Sequence, residues 1–191
     1  MPKISAPTVA EHRVAQRGAL VAAAESIIAE GGVAGISPRT VTEQAGLARS
    51  SFYEYFPSKD DLLAAVAMAA FEEWAAELEG AITAAAPGRA RLHAYVEATI
   101  RMTADGKHTL ATGLQQADLS PTSIDAIMAM HDTLATPLRT LLEQLQIPDA
   151  STQAVLVQGV VNAGMQLVGH GMKPQDVADA VNAILDRGIH G

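Results

Sequence analysis

Between Ser37 and Leu63 the chain reads SPRTVTEQAGLARSSFYEYFPSKDDLL, a run that gathers cations, hydroxyls and phenols at helical spacing. Ser37-Pro38 starts a helix, with an N-capping hydroxyl and a proline at the first helical position. Arg39 and Thr40 fall in that first turn, where backbone N–H groups and a cation can meet a phosphate. Arg49 opens the next short helix, and arginine is the side chain best suited to bidentate contact with guanine. Ser50 and Ser51 are small enough for close approach. Tyr53 and Tyr55 offer phenolic hydroxyls to phosphates or bases, and Lys59 begins a further helix. Groups of these types at this spacing suit contacts to phosphates and base edges better than bond-making chemistry.

The elements that must position them read as helices throughout. Thr8 to Glu30 is amphipathic, with Leu20, Val21, Ala24, Ile27 and Ile28 on one face and Gly31-Gly32 as its stop. The helix from Ser37 ends at Ala45-Gly46, with Gly46 as the left-handed turn residue. The next spans about Arg49 to Tyr55, and Pro57 forbids its continuation. Ser58 caps a long helix to about Ala86, with Asp60 and Asp61 complementing its dipole. Beyond Pro87-Gly88 the spacing predicts helices over Arg89 to Thr103, Lys107 to Asp118, a long one from Ser120-Pro121 to Leu145 kinked or split at Pro137, Thr152 to Gly169, and Pro174 to Arg187. No strand signal is present. The fold class is therefore all-α, about nine helices, divided into a head over 8–57 and a body over 58–191.

Composition narrows the function. The net charge of −8 argues against holding nucleic acid by bulk charge. Residues 1–63 are nearly balanced, with six Lys/Arg against seven Asp/Glu, whereas 64–191 carry seven against fourteen. A DNA reader built this way needs a few well-aimed cations. The chain has no cysteine, which removes disulfides and thiolate metal sites. The uncharged stretch Ala150 to Met172 is long enough to span a bilayer, but Gln153, Gln158, Asn162, Gln166 and His170 interrupt it. The N-terminus has no apolar run of the signal-peptide kind, so the expectation is a soluble cytoplasmic protein with no membrane partner.

The run from Leu20 to Leu63 resembles the DNA-binding head of the tetracycline-repressor (TetR) family of bacterial transcription regulators. The resemblance rests on Ala23-Ala24 with Ile28, the Gly31-Gly32 stop, Ser37, Ala45-Gly46-Leu47, Ser51-Phe52-Tyr53, Tyr55-Phe56, Pro57-Ser58-Lys59 and Leu62-Leu63. The tail Tyr-x-x-Phe-Pro-x-Lys has the family's spacing. It implies a helix-turn-helix whose second helix, beginning near Arg49, enters the major groove. It also implies that Lys59 anchors a backbone phosphate; Phe52 and Phe56, read from the residues themselves, are expected to pack inward against Leu47, Val41 and Ile28. Each polar assignment has a plainer rival: Arg49 as a solvated residue, Tyr53 and Tyr55 as core, Lys59 as an exposed helix start. Three residues depart from the pattern. Ala48 cannot cap the recognition helix, so Ser50 takes over or that end frays. Thr42 stands where a small apolar residue is usual, and Glu54 would repel phosphate if it faced the backbone.

The resemblance further implies a body that binds a small-molecule effector and forms a homodimer through its last two helices. Thr152 to Gly169 carries no charge, and its small residues Ala154, Gly159, Ala163 and Gly164 permit close approach. The expected interface is Val155, Gly159, Ala163 and Gln166 with Val177, Val181, Ile184 and Leu185, forming a four-helix bundle; the rival is that these helices are buried within a monomer. Gln158, Asn162, Gln166 and His170 recur every fourth residue and read as one face, which could line a cavity, cross the dimer or meet water. Candidate cavity residues are Trp74, Tyr95, Met102, Met128, His131, Gln158, Asn162 and Met165, the methionines because a flexible thioether tolerates varied apolar ligands. His93, His108 and His131 read more readily as surface or satisfied core residues. They show no metal-ligand spacing with carboxylates, so neither metal nor cofactor is expected.

No G-x-S-x-G, P-loop, H-E-x-x-H or cysteine nucleophile is present, so an enzyme is not expected. The leading expectation is a sequence-specific DNA-binding regulator, most simply a repressor released from a pseudo-palindromic operator by a small molecule. The alternative is a DNA-binding or architectural protein of the same fold that answers to a protein partner or to no inducer.

Overall fold

The computed structural model describes residues 9–104 and 136–188, and all regular structure among them is helical. The chain runs α1 (Val9–Gly31), a 3-10 turn (Val33–Gly35), α2 (Pro38–Gln44), α3 (Ser51–Tyr55), α4 (Lys59–Ala84), α5 (Arg89–Ala104), the helical stretch α6 (136–144), α7 (Ala150–Gly169) and α8 (Pro174–Gly188). The expected helix over Lys107 to Asp118 and most of the helix from Ser120, with His108, Met128 and His131, lie outside the described residues. Pro137 falls at the described edge of α6.

Two cores divide the molecule. In the head, Leu20, Val21, Ala24 and Ile28 of α1 pack with Val41 of α2, Phe52 of α3, Phe56, and Leu62, Leu63 and Val66 of α4. In the body, α5 lies against α4, α7 and α8, and its Leu92, Tyr95, Val96, Ile100 and Met102 are buried. Helix α4 serves both cores: it is in the head core down to Phe71 and in the body core at Leu78.

Helix ends follow local chemistry. Ser58 Oγ accepts the Asp61 N–H at 3.2 Å and caps α4. At the end of α2, Gly46 takes φ 69°, and the Leu47 N–H reaches Thr42 O at 2.9 Å, a Schellman closure. Helix α7 closes in the same way at Gly171. Helix α6 does so at Gln146 with φ 57°, and Asp149 (φ 51°) then launches α7, two residues earlier than the expected start at Thr152.

Two glycines of α7 have opposite surroundings. A Cβ on Gly164 would meet Ile100 Cδ1 at 3.0 Å, Val177 Cγ1 at 3.1 Å and Val181 Cγ2 at 3.2 Å, whereas Gly159 faces open space. Gly164→Val should destabilise the fold by about 1–3 kcal/mol through overpacking. Gly159→Ala should stabilise it by roughly 0.5–1 kcal/mol through helix propensity. Chemical denaturation of both variants checks the pair, and equal effects would contradict the packing described.

Glu25 of α1 sits in a groove against α4, beside Arg17, Met68 and Glu72. Partial burial, and then the charge of Glu73, push its carboxyl above the ordinary 4.5. The folded state therefore favours the protonated form. The resulting stability is present below the unfolded value and is lost as pH rises through the folded one. Glu25→Gln should raise the melting temperature more at pH 8 than at pH 5; a difference independent of pH would remove this assignment.

Candidate functional site

The helix-turn-helix is built from α2 and α3. A capping box holds the start of α2: Ser37 Oγ accepts the Thr40 N–H at 3.1 Å, and Thr40 Oγ1 accepts the Ser37 N–H at 3.0 Å. The Thr40 hydroxyl also donates to Gly35 O at 2.8 Å. Both residues fix the helix entrance that presents them. Arg39 pairs with Glu43 at 2.8 Å on the exposed face. Thr42, buried where an apolar residue is usual, satisfies its hydroxyl by donating to Pro38 O at 2.7 Å.

Helix α3 begins at Ser51, two residues later than expected. Ser50 has helical backbone angles and makes no side-chain cap, so it does not take over from Ala48. Instead the Ser51 N–H reaches Ala48 O at 2.9 Å, and a tight turn carries Arg49 and Ser50 at the entrance. Both are exposed, and Arg49 has no ion-pair partner among the described residues. Phe52 and Phe56 are fully buried, with ring centroids 6.1 Å apart.

The two tyrosines part company. Two residues along a helix turn the side chain by about 200°, so they occupy opposite sides of α3. Tyr53 is 62% exposed and its hydroxyl makes no hydrogen bond within the described chain. Tyr55 is half-buried, donates to Gln16 Oε1 at 2.5 Å and lies under the Arg13 guanidinium. Its hydroxyl is thus committed to α1, where the sequence pointed it at phosphate. Lys59 Nζ similarly reaches Val33 O at 3.4 Å and ties the start of α4 to the 3-10 turn.

Two cations escaped the sequence reading. Arg13 donates to Glu54 O at 3.4 Å, and the Arg17 guanidinium lies 5.1 Å from the Phe56 ring centroid. They place positive charge beside the recognition helix that carries Glu54. Their four-residue spacing, one turn before Leu20, was the available signal.

In the body the candidates scatter. Met102 and Met165 are packed in the core with Leu92, Ile100 and Val161, so they fill space there instead of lining a cavity. Trp74 packs against the same core from its edge. Tyr95 is buried and donates to Gln158 Oε1 at 2.9 Å, and Gln158 Nε2 donates to Asn162 Oδ1 at 2.9 Å. These two amides line a concavity of about 490 Å³ with Arg139, Ser151 and Val155. Gln166 and His170 do not join them, because each four-residue step drifts about 40° around the helix; the stripe winds out to solvent. His93 bonds Asp186 at 2.9 Å on the surface.

The expected interface residues also divide. Val177, Val181 and Leu185 are buried in their own protomer, against Gly164 and α5. They face inward because α8 uses its i, i+4, i+8 positions to cover the body core. Val155, Gly159, Ala163, Gln166 and Ile184 are exposed. Among the described residues no group of three His, Asp or Glu is placed to hold a metal, and no helix is long and apolar enough to cross a membrane.

A capped positioning helix, a tight turn and a short helix with exposed Arg49 and Tyr53 define a helix-turn-helix DNA-binding protein. Residues 20–66 match the family described as "Bacterial regulatory proteins, tetR family". Over those residues the chain carries the DNA-binding head of the TetR family of transcriptional regulators. Solved structures share the fold over nearly the whole chain. A protein of unknown function from Rhodococcus sp. RHA1 is 24% identical, with a TM-score of 0.80 over 92% of this chain and 96% of that one. The TetR family regulator PfmR from Thermus thermophilus is 21% identical, with a TM-score of 0.66 over 90% and 99%. The regulator FadR from Bacillus subtilis, in complex with stearoyl-CoA, is 19% identical, with a TM-score of 0.73 over 91% and 99%. No curated protein matches the sequence significantly.

The two phenols give a paired test. Tyr53→Phe should weaken DNA binding and leave thermal stability unchanged. Tyr55→Phe should cost stability on the order of 1 kcal/mol by removing the bond to Gln16. Melting curves and electrophoretic shifts of both variants read the difference, and the reverse pattern would exchange the roles.

Proposed function

We propose that this regulator is a homodimeric repressor, released from a pseudo-palindromic operator by a small molecule. The head over 8–57 reads DNA, and the body over 58–191 dimerises and senses. The observation that carries the reading is the exposed surface Arg49, Ser50 and Tyr53, raised on a helix that Phe52 anchors from behind. Arg39 and Thr40 flank it at the start of α2, and Ser37, Ser51, Tyr55 and Lys59 hold its shape. A symmetric pair of such surfaces reaches successive major grooves about 34–36 Å apart.

The outer face of α7 supports the dimer. Val155, Leu156, Gly159, Ala163 and Leu167 form an uncharged strip, and Ile184 of α8 is 55% exposed. Val177, Val181 and Leu185 brace that face from beneath. The stearoyl-CoA bound by the Bacillus subtilis neighbour supports a body that takes a ligand, as does the concavity at Gln158 and Asn162. A ligand that prefers a dimer with the wrong head spacing releases DNA by that preference alone. The tight packing around Met102 and Met165 favours a second reading, control by a protein partner or by no inducer; the concavity favours the sensor.

The test begins with an operator selected from a random DNA pool. Arg49→Ala should lower affinity for it by about tenfold or more, since a bidentate base contact is worth roughly 1–3 kcal/mol. Sedimentation should show the variant still dimeric. Unchanged affinity would remove Arg49 from the reading surface, and a monomer indifferent to every duplex at low salt would end the regulator proposal.

A further inference from the structure

The concavity beside α7 has a polarity that hydrogen bonding fixes. Tyr95 is 2% exposed, and burial pushes its phenol up to about 12, so its hydroxyl stays protonated. A buried O–H must donate, and its partner is Gln158 Oε1. That bond orients the Gln158 amide: Oε1 points to α5 and Nε2 points along α7. Nε2 in turn occupies Asn162 Oδ1. Both amide oxygens are therefore engaged, and the Asn162 N–H groups remain on the exposed side that lines the concavity. Arg139 adds a guanidinium from α6, and among the described residues none that lines the concavity carries a carboxylate. Glu143 lies 3.9 Å from Arg139 Nε with both side chains at least half exposed, a weak competitor. Ala154 and Val155 supply an apolar wall.

The geometry points to a binding site for a small organic carboxylate, with its oxygens on Arg139 and Asn162 and its apolar part against Ala154 and Val155. The guanidinium and the Asn162 amide, with the Ser151 and Thr136 hydroxyls beside them, make the rim rich in donors. It favours an anion, whose hydrogen bonds to a guanidinium are charge-assisted. The volume of about 490 Å³ suits a ligand of modest size. Tyr95 is a positioning residue: it touches no ligand and sets the direction of the amides that do. The site gives a chemical class to the effector role proposed above, and depends on that role only where DNA release is concerned.

Calorimetric titration of the full chain with hexanoate, octanoate and decanoate, each beside its methyl ester, tests the site. At least one carboxylate should bind, and its ester should bind about tenfold or more weakly. Arg139→Gln should lower carboxylate affinity about tenfold. Asn162→Asp, at an exposed position, should abolish it by placing an anion where a donor stood. Tyr95→Phe should reduce the preference for carboxylate over ester while leaving ester affinity unchanged, which a merely structural role would not do. The proposal is overturned if no carboxylate binds, if the esters bind as well, or if Arg139→Gln changes nothing. Operator binding is then measured with the bound carboxylate present. A weakened complex supports the effector role, and an unaltered one sinks that role while the site stands.

Discussion

A helix of five residues does not persist in water, because nucleating a helical turn costs more than so few hydrogen bonds return. Helix α3 has no side-chain cap and begins in a tight turn. What holds it is burial: Phe52 and Phe56 lie fully inside the head core, against Val41, Leu20 and Leu63. Burying such a ring contributes about 1.5–3 kcal/mol, more than the local helix can supply. Everything the head presents to a partner depends on these two rings. They also explain why Tyr55 turns toward Gln16: once Phe52 and Phe56 face inward, Tyr53 is left outside and Tyr55 at the seam with α1.

That inward grip reaches the body through one element. Helix α4 has 26 residues, about 39 Å at 1.5 Å per residue. Leu62, Leu63 and Val66 at its start are fixed to the recognition unit, and Leu78 near its end is fixed to the body. A helix clamped at both ends transmits a tilt and does not absorb it. The contact it makes with α1 is less settled, since Glu25 is partly buried there and feels the like charge of Glu73. A head carried on a stiff arm, with one imperfect seam, is suited to changing its angle without unfolding.

The head was legible in the sequence because its signals are local. Ser37-Pro38, Gly46, Pro57 and Ser58 each act within one turn, and each stands where the reading put it, with helix bounds differing by a residue or two. The start of α3 was not legible, since Ala48 gives no cap and the tight turn that replaces it leaves no signature residue. The end of α6 was read to within a residue, at Leu145 against 144, although its left-handed Gln146 gives none of the signal that glycine gives elsewhere. In the body, the choice between core and surface depends on which neighbours α5 and α8 present. Met102 and Met165 became core on that account, and Val177, Val181 and Leu185 turned inward while Ile184 did not. Periodicity alone places residues on a face and does not say which face is inside.

Helix α7 illustrates what that ambiguity conceals. Its lack of charge has two separate causes on its two sides. On the inner side, Val157, Val161 and Gly164 press against the core, and the bare Cα of Gly164 lets Val177 and Val181 close in. On the outer side, Val155 is 72% exposed and Leu156 59%, with no lysine or glutamate among them. Scattered exposed apolar residues are ordinary, but a continuous strip on a protein of net charge −8 is not. Gln158 and Asn162 run along the border between the two sides. A ligand held there touches Val155 and Gly159 of the strip itself, so a shift of α7 that accommodates it also shifts the strip on which a second copy would rest. The polar relay and the apolar strip thus share one rigid helix, and through α5 that helix is packed to the same core that holds the far end of α4.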